Sequence, residues 1–116
     1  MDAGYLSVCE FYGTNNTKIL RPQKNEDEIG QWLDYIQQDF IYLSERLWNK
    51  RLILDLSDLD YIPLSLLGMA FNLKQALDRR NSYLVLYGIK DNAISKSLWS
   101  RVAKRFTLSP PHPRTM

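Results

Sequence analysis

The chain has little of the chemistry that most enzymes use. Of its 116 residues, only Cys9 carries a thiol and only His112 carries an imidazole. No intramolecular disulfide can form, and no cysteine pair is available to hold a metal. His112 lies in a proline-rich stretch, so we expect no ordered histidine base for a serine or cysteine nucleophile. The sequence therefore predicts no catalytic triad, no metal site and no cofactor, and Cys9, in a mostly apolar stretch, is predicted to be a buried structural thiol.

Glycine motifs and long apolar runs are also missing. The 5 glycines are scattered, and no sequence of the dinucleotide-binding or P-loop type occurs. No apolar run approaches the ~20 residues that span a bilayer, and no basic segment followed by an apolar one opens the chain. We expect a cytoplasmic protein without membrane insertion. The net charge of +2 gives no support to nucleic-acid binding.

What is present is typical of a folded domain. Hydrophobic residues make up 45% of the chain and charged residues 24%. Residues 5–12 and 17–21 are predicted to be strands joined by a turn at 13–16. A helix is predicted over 26–48, with Asn25 as its N-cap and Glu28 in the reciprocal capping position. Its predicted core face consists of Ile29, Trp32, Leu33, Ile36, Phe40, Leu43 and Leu47.

The second half of the chain alternates between strand and helix. Strands are predicted at 52–56 and 83–87, a helix from Ser65 to Arg80, and a last helix whose apolar side carries Ile94, Leu98, Val102 and Phe106. This order predicts an α/β fold with an N-terminal hairpin, parallel β-α units and a mixed sheet on which the helices pack. We expect a single domain over residues 1–108 and a loose Pro-rich tail over 109–116.

The loop over residues 57–64 is the predicted working surface, because functional loops in such sheets lie beyond the carboxyl ends of strands. Ser65 follows it at the predicted helix start, where a serine can cap free N–H groups or carry a phosphate near the helix dipole. Asp55, Asp58 and Asp60 lie close in sequence. Magnesium-dependent phosphotransfer would need such carboxylates, but solvated or turn-capping carboxylates are the simpler interpretation.

Local sequence in residues 51–108 resembles the STAS domain, named for sulfate transporters and anti-sigma-factor antagonists. Leu52-Ile-Leu-Asp-Leu-Ser57 is similar to the central strand of that family, and Leu59-Asp-Tyr-Ile62 to the loop after it. Leu67-Gly68-Met-Ala resembles the start of the following helix, and Leu84-Val-Leu-Tyr-Gly-Ile89 the next strand. The resemblance implies a STAS-like mixed sheet and a non-catalytic regulatory module.

The resemblance also implies a role for Ser65. In anti-sigma-factor antagonists, a serine or threonine within an Asp-Ser-Ser/Thr-Gly motif is phosphorylated by a partner kinase, and Ser65 occupies the phosphoacceptor place. The flanking residues differ from the motif, with Pro63, Leu64 and Leu66 standing where Asp, Ser and Gly are usual. Ser65 is thus either a plain helix cap or a phosphoswitch. Leu64 and Leu66 either supply apolar contact area or turn inward to the core.

The predicted function is protein interaction without catalysis. The module is expected to bind an anti-sigma factor or serine kinase, under control of Ser65 phosphorylation; a constitutive scaffold or a subunit associated with a transporter ATPase is the alternative. Self-association stays open. Partner contacts are predicted at Asp58, Asp60, Tyr61, Pro63, Leu64, Leu67 and Gly68.

The last helix has a basic side, which is interpreted as solvated, with nucleic acid, anionic lipid and an acidic protein as alternatives. Its residues are Lys96, Arg101, Lys104 and Arg105.

Overall fold

The computed structural model describes residues 4–24 and 28–108, and over these the chain forms one six-stranded sheet with three helices. The elements in chain order are β1 (Gly4–Tyr5), β2 (Cys9–Gly13), β3 (Thr17–Pro22), α1 (Ile29–Ser44), β4 (Arg51–Asp55), α2 (Leu64–Asp78), β5 (Tyr83–Tyr87), α3 (Lys96–Arg105) and β6 (Thr107–Leu108). The predicted α/β fold, with an opening hairpin followed by β-α units, is confirmed.

The strands lie in the sheet in the same order as in the chain. β1, β2 and β3 pair antiparallel, whereas β3 through β6 pair parallel. Each helix connects a strand to its immediate neighbour, always in the same direction along the sheet. Because such crossovers are right-handed, they place α1, α2 and α3 on the same face.

The core lies between that face and the helices. Leu20, Leu54 and Leu86 are directly opposite one another on neighbouring strands and are fully buried. Side chains from all three helices pack against them in one cluster, including Trp32, Ile36, Phe40 and Leu43 of α1, Leu66, Leu67, Ala70, Leu73 and Leu77 of α2, and Trp99 and Val102 of α3. Cys9 is also part of this cluster and has no exposed surface, which confirms the predicted buried thiol.

The first predicted strand is broken into two. Residues 6–8 form the bend at which the chain reverses between the antiparallel strands β1 and β2, and the Leu6 N–H closes it by donating to the Cys9 carbonyl at 3.0 Å. The carboxylate of Asp39 on α1 accepts two further backbone N–H groups of this bend. The Ser7 N–H donates to Asp39 Oδ1 at 2.7 Å and the Val8 N–H to Oδ2 at 3.1 Å. Asp39 is itself buried, so these bonds join the N-terminal segment to α1.

Helix α1 is shorter than the predicted 26–48. Asn25 and residues 26–27 lie outside the described part of the chain, and Glu28 is the N-cap rather than a reciprocal capping residue, with no side-chain cap bond. The helix ends at Ser44, and Asn49 then adopts a left-handed φ of 57°. Ile29 is 46% exposed, so its predicted place on the core face is wrong, whereas Leu47 stays buried beyond the helix end.

The two later helices also differ from prediction at their ends. α2 begins one residue earlier than predicted and ends at Asp78, two residues before the predicted end at Arg80, with Arg79 as its C-cap. α3 begins at Lys96, where the Ser95 hydroxyl accepts the Leu98 N–H at 3.2 Å; Ile94 is buried but precedes the helix. The predicted tail over 109–116 lies outside the described residues. Across 4–24 and 28–108, no helix is long and apolar enough to cross a membrane.

Candidate functional site

The loop between β4 and α2 is anchored at its base by backbone and side-chain contacts. The Leu56 N–H donates to the Tyr87 carbonyl at 2.8 Å, and the Asp55 carboxylate accepts the Ser57 N–H at 3.0 Å, which turns the chain out of the strand. Gly88 packs against this turn with a φ of +80°, and a Cβ there would lie 2.8 Å from Ser57 Cβ. The side chains of Leu56, Leu59 and Ile62 are buried and fix the loop to the core.

Neighbouring segments clamp the loop from both sides. The Lys24 N–H donates to Asp58 Oδ2 at 2.6 Å, and Lys24 Nζ lies 3.2 Å from Asp60 Oδ2. On the other side, Lys90 Nζ donates to Asp60 Oδ1 at 2.7 Å. The hydrogen bond from Lys90, followed by that from Lys24, holds the pKa of Asp60 below its usual value. Sequence reasoning missed both lysines, although the ends of neighbouring parallel strands β3 and β5 necessarily lie beside the end of β4.

The three aspartates near this loop have separate roles. Asp55 shapes the turn, Asp58 accepts a backbone N–H, and Asp60 is paired with two ammonium groups. Over residues 4–24 and 28–108, no group of three or more His, Cys, Asp or Glu side chains is placed to hold a metal ion. The geometry agrees with turn-forming and ion-paired carboxylates and gives no support to a phosphotransfer centre.

Pro63 occupies the N-cap position of α2, where it has extended backbone with ψ of 148°. Its carbonyl accepts the N–H groups of Leu66 at 3.0 Å and Leu67 at 3.3 Å. Because the proline sets the helix start one residue early, Ser65 is the second helical residue, and no side-chain cap bond exists at this terminus. The interpretation of Ser65 as a helix cap is wrong. Its side chain is exposed within the first turn.

Leu64 and Leu66 have opposite environments. Leu64 is 63% exposed, whereas Leu66 is 1% exposed and belongs to the core cluster. Two residues along a helix are separated by about 200° around its axis, so the pair cannot share a face. The inward interpretation is therefore right for Leu66 and wrong for Leu64, and only Leu64 offers apolar contact area.

The other predicted contact residues divide between surface and interior. Tyr61 is 65% exposed, and Asp60 and Gly68 are exposed as well. Asp58 is half-buried, and Pro63 and Leu67 are buried. They line two neighbouring concavities: Asp60, Tyr61 and Pro63 border a cleft of about 260 Å³ beside α1, while Leu64, Leu67 and Gly68 border a groove of about 400 Å³ between α2 and α3.

Comparison with known proteins gives a structural likeness alone. No protein-family model and no curated protein matches the chain. Among solved structures, the crystal structure of a candidate anti-sigma factor antagonist from Thermotoga maritima matches with a TM-score of 0.62 and 18% sequence identity. The match covers 84% of this chain and 82% of that one. The fold that the sequence resemblance implied is confirmed: this chain has a STAS-like α/β fold, which it shares with that structure.

Proposed function

We propose that this protein is a non-catalytic interaction module of STAS type, which binds a cytoplasmic anti-sigma factor or serine kinase through residues 58–68. The observation that carries the proposal is the outward projection of Tyr61 from the loop and of Leu64 from the first position of α2, while the rest of the loop is anchored in the core. Because the backbone that carries these side chains is already fixed, binding through them orders little further backbone, and they therefore suit a docking surface.

The proposed module comprises residues 1–108. Its likeness to a candidate anti-sigma factor antagonist supports a regulatory role. The position of the β4-α2 loop supports docking, because this loop resembles the family's docking segment and lies at the carboxyl ends of parallel strands. Protein docking also agrees with the ion pairs at Asp60, since both of its oxygens are already engaged by Lys24 and Lys90 and leave the apolar groups as the main contact area.

Ser65 phosphorylation is the proposed control. The hydroxyl is exposed in the first turn of α2, next to Leu64, and a phosphate there would interact favourably with the positive end of the helix dipole. It would also place nearly two negative charges beside the apolar contact. A partner would have to desolvate those charges in order to cover Leu64, so phosphorylation should release it.

A constitutive scaffold, such as a subunit associated with a transporter ATPase, is the second candidate. It is favoured by one observation: the residue before Ser65 is an exposed leucine, which supplies contact area independently of any phosphate. The two candidates differ in the response to Ser65→Asp. A switch predicts a loss of partner affinity of at least about tenfold for Ser65→Asp with little change for Ser65→Ala, whereas a scaffold predicts near-equal affinities.

The direct test is calorimetric titration of the protein with each anti-sigma-factor kinase encoded by the source organism. At least one should bind, and Leu64→Asp should weaken that binding at least about tenfold. Ile41→Asp is the matched control, because Ile41 is 50% exposed on α1, outside the loop. Incubation with the binding kinase and ATP, followed by mass spectrometry, should show one phosphate on Ser65. The proposal fails if no kinase binds or if both variants bind alike.

A further inference from the structure

We propose that the groove between α2 and α3 binds an acidic amphipathic helix of the protein partner. The inference rests on the proposed function, because Leu64 belongs both to the predicted docking loop and to the wall of this groove. It adds the chemistry of the partner: carboxylates on one side of a helix and apolar side chains on the other.

The floor of the groove is apolar and firmly packed. Leu67, Val102 and Phe106 are buried beneath it, and Phe71 and Leu98 are half-buried along its sides. The rings of Phe71 and Phe106 meet edge to face with their centroids 6.0 Å apart, which is within the favourable range for aromatic pairs. An apolar helix face laid here would cover these side chains without requiring the floor to rearrange.

One wall of the groove is cationic. Arg101, Lys104 and Arg105 line it and are exposed, and within residues 4–24 and 28–108 no carboxylate lines the groove. The Arg105 guanidinium lies over the Phe71 ring, 5.5 Å from its centroid, so this charge is held at the edge of the apolar floor. Arg101 and the Lys104–Arg105 pair are one helical turn apart, a spacing that carboxylates three or four residues apart on another helix would match.

Gly68 leaves room for the occupant. It is exposed on α2 and lines the groove, and a Cβ placed on it would have no heavy atom within 4 Å beyond its chain neighbours and the adjacent α2 backbone. A partner helix can therefore approach the α2 backbone closely at this point, because glycine has no Cβ. The same space means that a larger side chain at position 68 would fill the groove without disturbing the fold.

A helix fits these observations better than a membrane surface does. Binding to a bilayer requires apolar side chains that protrude into the acyl region. Of the apolar residues lining the groove, Leu64 protrudes, whereas Leu67, Val102 and Phe106 are recessed and a flat surface would not reach them. A protruding ridge of apolar side chains on a helix would reach them, which is the usual helix-in-groove mode of recognition.

The test uses a fluorescein-labelled peptide of about 18 residues, five helical turns, with leucine on one face and glutamate on the other. A second peptide carries lysine in place of every glutamate. By fluorescence anisotropy at low ionic strength, the full-length protein should bind the acidic peptide at least about tenfold more tightly than the lysine peptide. Added salt should weaken the binding, since the cationic wall is exposed.

Two matched pairs of variants locate the binding. Gly68→Leu should weaken binding of the acidic peptide at least about tenfold. Gly30→Leu should leave that binding unchanged, since Gly30 lies on α1 and a Cβ there likewise meets open space. Arg101→Glu should have the same effect as Gly68→Leu, whereas Lys96→Glu makes the same charge change on α3 outside the groove and should leave affinity within about twofold. Circular dichroism checks that all four variants are folded.

Several results would overturn the inference. Equal affinity for both peptides, or unchanged affinity in Gly68→Leu, would remove the groove as the site. Binding to phosphatidylglycerol vesicles without binding to the acidic peptide would assign the cationic wall to lipid instead. If a kinase binds through Leu64 but the acidic peptide does not bind, helix binding in the groove is contradicted and the proposed function stands. If the peptide binds and no kinase does, the groove inference stands and the proposed function is contradicted.

Discussion

At the scale of single residues, Leu64 and Leu66 show how much one position along a helix matters. Leu66→Ala removes a side chain from the core and should lower the free energy of unfolding by about 2–5 kcal/mol. Leu64→Ala should change it by no more than about 0.5 kcal/mol, because Leu64 is mainly in solvent. Urea unfolding of both variants measures the difference, and equal losses would contradict the assigned orientations.

The sequence could not separate these two leucines. Both residues have the same chemistry, and their orientation depends on where the helix begins. Moving the start by one residue rotates every side chain by about 100° relative to the sheet. Only the extended backbone of Pro63, which makes it the N-cap, fixes the phase that turns Leu64 outward and places Ser65 within the first turn.

The ion pairs of Asp60 make a prediction about pH. The pKa of Asp60 is lowered, chiefly by the hydrogen bond from Lys90, so its contribution to the clamp is present above the ~3.9 of an unperturbed aspartate and is lost as the pH falls through the lowered value. Carboxyl-detected NMR should give Asp60 a titration midpoint below ~3.9. Lys90→Gln should raise that midpoint, and Lys74→Gln, which removes the separate pair with Asp78, should not.

At the scale of elements, two glycines should respond to alanine with opposite signs. Gly68→Ala should stabilise α2 by roughly 0.5–1 kcal/mol, since alanine has the higher helix propensity and its methyl group meets open space. Gly88→Ala should destabilise the folded protein, because Gly88 has a φ of +80° and the new Cβ would lie 2.8 Å from Ser57 Cβ. Thermal unfolding compares the two, and stabilisation by both would contradict the packing at the base of the loop.

The interiors of the elements were predictable, and their ends were not. Apolar runs located β4 and β5 because both strands are buried. The ends depend on contacts between distant segments. Asp39 lies 32 residues from Ser7, yet its bonds with Ser7 and Val8 accompany the bend that separates β1 from β2. Similarly, α1 stops at Ser44 although the apolar spacing continues to Leu47, whose burial does not need helical backbone.

At the scale of the whole molecule, Cys9 should report global unfolding. Burial, together with the nearby Asp39 carboxylate, raises the pKa of the Cys9 thiol far above its usual range, and the side chain has no exposed surface. A thiol reagent should therefore label the native protein very slowly, and labelling should increase with urea in step with the loss of circular dichroism. Rapid labelling without denaturant would show that the β1-β2 segment opens locally.

The alternation of strands and helices was enough to predict the α/β fold, because parallel strands joined by helices leave few arrangements. The site was predictable in part. The loop after β4 followed from topology, and its exposed residues Tyr61 and Leu64 were among those predicted. Lys24 and Lys90 were missed because they come from segments far from the loop in the chain and meet it only after folding. The basic residues of α3 were interpreted as solvated, with an acidic protein among the alternatives, and the sequence did not show that they border a groove with α2.

The order of strands in the sheet also bears on how the protein is made. Each strand pairs with the one synthesised just before it, so its partner has already left the ribosome when it emerges. The loop that precedes Leu64 is thus synthesised before its anchors at Tyr87 and Lys90, which come with β5 and the segment after it. The cationic wall on α3 is synthesised later, after β5. A nascent chain would display the leucine well before the arginines, and a partner that needs both would ignore it until synthesis has passed α3.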